Sequence, residues 1–215
     1  IDRPEMLRQL LQLWPRLSRM LREAVVAHAD LQHGNVLYTI DNETTVGAAW
    51  GAYWSAFVKA EAAQLSVHVE TSEMWDDGDL TSAKQRQSYD NPQIYSFLDV
   101  SQNNRNFDAE HWDNLAWVRE YIESAPRPIN NTKIYSDGET TWGSGTPVDG
   151  VERFWRNLIG GAASCRFHRP GGGIGLNEIA VACIRAARAL ESQIPLWDVS
   201  PRQDLLSDRE TDEAY

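Results

Sequence analysis

Five short polar clusters hold the side chains of this chain that could do chemistry: Asp41-Asn42-Glu43, Glu70 with Glu73, Asp99 with Gln102-Asn103-Asn104, Asp137 with Glu139, and Arg166 with His168-Arg169. Four contain carboxyl groups, which give and take protons when their surroundings tune them. In the first and third clusters amides stand beside them, able to read hydroxyl groups. The fifth is cationic and fits an anionic group. Each cluster lies at or just beyond the end of an apolar or β-branched run, as in "NVLYTIDNET", Asn35 to Thr44. Three polar groups in a row at the end of a strand mark either an ordinary turn or the mouth of a site.

The elements behind these clusters alternate. Glu5 to His28 is helical in pattern, with Leu7, Leu10, Leu11, Leu17 and Leu21 near a 3.6 period and Pro15 as a break or kink. Asn35 to Ile40 reads as a strand. Thr44 or Thr45 can cap the next helix, which runs to about Gln64 with Val46, Trp50, Tyr53, Trp54 and Phe57 on one stripe. Ser66 to Glu70 reads as a second strand, and the long polar stretch after it is either functional or partly helical. Ile94 to Val100 is a third strand. Asp108 caps a helix through Ile122, which Pro126 and Pro128 stop. Thr132 to Tyr135 is a fourth strand, Pro147 to Leu158 a helix, Ala162 to Phe167 a fifth strand, and Leu176 to Leu190 a helix.

Composition bounds the reading from outside. The chain has 215 residues, 42% apolar and 24% charged, enough for a sizeable core. Its formal net charge of −11 argues against nucleic acid or anionic membrane surfaces as partners. No apolar run reaches the ~18 residues of a membrane span. Cys165 and Cys183, on a predicted strand and a predicted helix, read as two buried free thiols. "DDGD" at Asp76 to Asp79 lacks the spacing of a calcium loop and reads as a solvated acidic turn.

Predicted strands start roughly 30 residues apart, the length of one βα unit, in which a parallel strand needs a crossover helix to return. A doubly wound sheet should show a glycine-rich phosphate turn after an early strand. The glycine-rich turn here, Arg169 to Gly175, follows the last strand without the GxGxxG spacing. A phosphate-handling α/β enzyme using that turn is thus a weak third reading. A (β/α)8 barrel, by contrast, collects side chains from several strands at the C-terminal face of its sheet, which fits all five clusters.

In "YTIDNE" and "KIYSDGE" the chain resembles the retaining glycoside hydrolases of clan A, in which Asn-Glu closes the fourth barrel strand. Within that clan, "SFLDVSQNN", "FWRNLIGGAA" and the tail "PLWDVSPRQDLLSDRETDEAY" look like the apiosidase-like barrel glycosidases. The resemblance implies an α/β fold, a (β/α)8 TIM barrel, of which the chain supplies about strands 4 to 8. It implies hydrolysis of a poly- or oligosaccharide by a retaining two-carboxylate mechanism, outside the cytoplasm (extracellular or periplasmic), with no cofactor. Glu43 is then the acid/base, its pKa expected to be raised by burial and like charge, and Asn42 holds the sugar beside it. Glu139 is the nucleophile; Asp137, two residues earlier and pointing the same way in an extended segment, is the alternative.

Trp75 and Trp142 either stack on sugar faces or pack structurally. Gln102, Asn103 and Asn104 are candidate hydroxyl readers, and His168 beside two arginines suits an anionic sugar. His68, within a strand, reads as a core histidine. Residues 1–192 are expected to form the C-terminal part of the barrel, and residues 193–215 an extended linker toward a further domain. Five parallel strands cannot close a barrel, so another chain or segment is expected to supply the rest. The competing function is a catalytically inactive carbohydrate-binding barrel protein.

Overall fold

The computed structural model describes residues 37–64, 66–136, 145–170 and 175–205. The amino-terminal helix expected at Glu5 to His28 therefore lies outside the described residues. Strands and helices alternate: β1 (Leu37–Thr39), α1 (Ala48–Gln64), β2 (Glu70–Ser72), α2 (Ala83–Tyr89), β3 (Leu98–Asp99), α3 (Asp108–Tyr121), β4 (Ile129–Ile134), α4 (Pro147–Ile159), β5 (Ser164–Phe167) and α5 (Glu178–Glu191). A 3-10 turn, Ser101–Arg105, follows β3, and two more, Leu196–Asp198 and Gln203–Leu205, break up the tail. Among the described residues no helix is long and apolar enough to cross a membrane.

Every described strand pair is parallel, β1 with β2 and β3 with β4 with β5. One backbone bond, Phe97 N–H to Thr71 O at 3.1 Å, joins the two sheets, so the five strands stand in chain order. The Thr71 hydroxyl adds a 2.7 Å bond to Ile94 O at the same seam.

Several elements differ from their expected bounds for visible reasons. β2 begins at Glu70, where the expected strand ended. Its Thr71 and Ser72 look like turn residues, yet both are buried with their hydroxyls bonded to Ile94 O and Thr39. His68 is not in the core: its side chain is 77% exposed and pairs with Glu70. β4 starts three residues earlier than expected, because Asn130 and Asn131 are buried strand residues with bonded amides. Phe107, not Asp108, is the N-cap of α3. The polar stretch after β2 contains α2, capped by Ser82.

α1 shows the largest reversal. Of its aromatic stripe Trp50 and Tyr53 are half exposed while Trp54 and Phe57 are partly buried, and its fully buried residues are Gly51, Ser55 and Ala62. Glu73 and Tyr95 come so close to the helix that a Cβ on Gly51 would stand 2.1 Å from a Glu73 oxygen. At Gly51 the helix has no room for a side chain unless Glu73 and Tyr95 shift.

Two larger clusters make the core. Leu98, Leu115, Val118 and Ile129 join α3 to the sheet, and Ile134, Phe154, Phe167 and Cys183 join α4 and α5 to β4 and β5. Cys165 and Cys183 are free thiols, Cys183 buried and Cys165 partly so. α4 has the full local signal for a helix start: Thr146 and Asp149 form a capping box around Pro147.

Candidate active site

The described polar clusters gather at the C-terminal ends of the parallel strands, except that Glu70 opens β2 and pairs with His68 ahead of it. The chain leaves β1 at Ile40, still bonded to Ser72 O, and rejoins the second strand at Thr44, whose N–H donates to Met74 O at 2.8 Å. Asp41, Asn42 and Glu43 form the excursion between. Glu73 braces it by accepting the Asp41 N–H at 3.1 Å, and the Asp41 carboxylate accepts the Asn42 N–H at 2.8 Å. Glu43 adopts a left-handed backbone with φ of 56°. For a residue other than glycine that conformation costs about 1–3 kcal/mol, and it persists where the surroundings over-determine it.

The Glu43 side chain turns toward the other strands. Its Oε1 accepts from Gln102 Nε2 at 3.0 Å and from Lys133 Nζ at 2.5 Å. The Lys133 bond holds the Glu43 carboxyl below the ordinary range; partial burial opposes this, and Gln102, the Lys133 charge and Arg105 add to it. This corrects the expected raised pKa: burial acts in the expected direction, but a cation at hydrogen-bond distance outweighs it.

Two other carboxyls are raised. Burial first, then the Asp41 charge, pushes Glu73 up to about 7. Burial also lifts Asp99 to about 6, against bonds from Ser101 and Asn130. By pKa alone Glu73 is the natural proton donor, but geometry comes first. It is 1% exposed, one oxygen faces the Asp41 amide and the other faces Gly51 on α1. It supports the loop from behind and does not face a ligand.

A cavity of about 620 Å³ opens along the inner face of the strands, lined among others by Asp41 and Asn42 after β1, Asn130 and Thr132 from β4, and Arg166 from β5. Of the residues expected at the site, Asn42 lines this cavity, while Gln102 is buried and spends an amide N–H on Glu43. Asn103 does not line the cavity. It is fully buried, donating one N–H to His111 O and accepting from Asn106 and Asn114. Asn104 is also buried. Trp75 is no sugar platform: it is 2% exposed and its indole N–H donates to Ser88 at 2.8 Å. His168 stands beyond β5, stacked on Tyr135 at 4.7 Å with Nδ1 donating to Arg169 O. Glu139, Asp137 and Trp142 lie outside the described residues, as do positions 171–174 of the glycine-rich turn.

Lys133 is the site residue that sequence reading missed. Strand alternation would set it on the face opposite Thr132. In β4 the pairing Asn131↔Cys165 is followed by Ile134↔Phe167, so Thr132 and Lys133 together oppose one residue of β5. This bulge turns both inward, Thr132 to the cavity and Lys133 to Glu43. Side chains satisfy its backbone: Ser101 Oγ accepts the Thr132 N–H and Asn131 Oδ1 accepts the Lys133 N–H. A lysine inside a buried strand was the only available signal.

Among the described residues no group of three or more His, Cys, Asp or Glu side chains could hold a metal ion. The acidic turn is tied internally: Asp79 caps Thr81, and Asp76 pairs with Arg105. No family model, curated protein or solved structure matches the chain.

Proposed function

We propose that this chain is the C-terminal part of a (β/α)8-barrel glycosidase that cleaves a poly- or oligosaccharide with retention, using Glu43 as acid/base and Glu139 as nucleophile. What supports the barrel is strand order. A doubly wound sheet reverses direction at its switch point, whereas here five parallel strands follow one another in chain order with a helix in every connection. The observation that carries the functional reading is the meeting of Glu43, Gln102 and Lys133, from three different strand ends, on one carboxylate at the face where barrel enzymes work.

In this mechanism protonated Glu43 gives its proton to the leaving oxygen as the bond from C1 to that oxygen breaks and Glu139 bonds to C1. Water then attacks C1, ionised Glu43 takes its proton, and Glu139 departs. Retention requires the two carboxyls about 5 to 5.5 Å apart. Asn42, at the cavity wall beside Glu43, is suited to hold a sugar hydroxyl.

The test is turnover of a panel of unactivated oligosaccharides. Glu43→Gln removes the acid and should cut hydrolysis by at least a hundredfold, in line with general acid catalysis being worth about 10²–10⁴; unchanged turnover refutes the assignment. The Lys133 bond favours one alternative, since a carboxylate held ionised also suits a binding protein without catalysis. Saturable heat of sugar binding with no product would select that alternative.

A further inference from the structure

Two departures from regular geometry and one buried charge converge on a single atom, Glu43 Oε1. β4 carries a bulge that turns Lys133 inward against strand alternation. Lys133 has a side chain only 8% exposed, and burying an ammonium group is expensive unless it is paired. Glu43 holds a left-handed backbone, which sets its carboxylate where Lys133 and Gln102 both reach it. A lysine that merely filled the interior would require neither the bulge nor the strained partner.

We propose that Lys133 is a positioning residue for Glu43: it grips one carboxylate oxygen and leaves the second oxygen to meet the ligand. The grip stands on contacts alone; its catalytic meaning rests on the glycosidase reading. The charges around Glu43 come from every neighbouring strand end. Lys133 on β4 and Arg105 after β3 favour the carboxylate, Arg166 on β5 stands in the cavity, and the described acidic groups at the neighbouring strand ends are Asp41, Glu73 and Asp99. Of these only Lys133 makes an ion pair with Glu43.

In a retaining cycle this grip favours the second half. Ionised Glu43 is ready to take a proton from water, while the first half needs it protonated. Lys133 therefore sets the upper pH limit of the first step, and removing it should extend that limit upward.

The experiment is a carboxyl-carbon NMR titration of Glu43, assigned by loss of its signal in Glu43→Gln, alongside the pH profile of kcat/KM. In the wild type Glu43 should titrate below the free glutamate value of about 4.3; a wild-type value at or above it overturns the proposal without any variant. Lys133→Met should raise the titration by about one pH unit or more and move the basic limb of kcat/KM the same way, with Lys133→Arg close to wild type. A folded Lys133→Met protein with Glu43 unmoved also overturns it. If Glu43 titrates low but no glycoside is cleaved, the grip stands and the glycosidase reading falls. If hydrolysis occurs with Glu43 unmoved, the reverse holds.

Discussion

Glu73 ties acid–base chemistry to stability at the scale of one residue. Its folded pKa of about 7 lies above the ordinary 4.5 because burial and Asp41 disfavour its charge. Between those values the folded protein keeps a proton that the unfolded chain has lost. Stability therefore falls as pH rises from about 4.5 to about 7 and is flat beyond; the full effect is about 3 kcal/mol. Asp99, raised from 3.8 to about 6, acts in the same direction at lower pH. His111 opposes them: burial and two nearby arginines lower it from 6.5 to about 3, so it favours stability as pH rises through that window. Comparing wild type with Glu73→Gln isolates the one group. Urea unfolding at about pH 5 and about pH 8 should show wild type losing about 2.5 kcal/mol relative to the variant. Parallel pH curves would mean that folding does not shift the Glu73 carboxyl.

At the scale of elements, close approach between α1 and β2 determines what braces the site loop. Gly51 lets Glu73 and Tyr95 press against the helix, and Glu73 in turn holds the Asp41 amide. A Cβ there would also stand 2.6 Å from the Tyr95 hydroxyl. Alanine is the better helix former by about 0.5–1 kcal/mol, yet overpacking costs about 1–3 kcal/mol. Gly51→Ala should therefore lower the urea midpoint and reduce turnover, since it displaces the brace behind Glu43. A stabilised variant with full activity would show that α1 can move outward freely. The bulge of β4 is the second such device. It departs from strand regularity at the one place where Lys133 must reach across to Glu43.

For the whole molecule, polar staples close the seams that the short strands leave. Arg127, just before β4, donates to Ser88 O and Tyr95 O at 3.0 Å, to Tyr89 O at 2.5 Å and to Ala125 O at 3.2 Å. One guanidinium thus fastens the end of α2 and the approach to β3 onto the start of β4. Hydrogen bonds to a charged group are worth about 1.5–3 kcal/mol each and are not additive, so Arg127→Met should cost about 3 kcal/mol or more. Hydrogen exchange should then speed up in 88–98 and at β4 together; a purely local effect would deny the staple its long-range part.

Local signals were legible in the sequence where their causes are local. Thr146, Pro147 and Asp149 start α4 where expected, and the alternation of apolar runs with helical periods marks β5 and the parallel order. Asn42, Glu43 and Gln102 were readable as polar groups at strand ends. What only the tertiary structure decided is which way side chains face and what charge they hold. Trp75 went into the core, Trp50 and Tyr53 of α1 outward and Lys133 into the site, while Glu43 became a held carboxylate instead of a raised acid. The reason is range. Capping and periodicity act over a few residues, whereas Glu43 takes its charge state from partners 59 and 90 positions away, which no local pattern encodes.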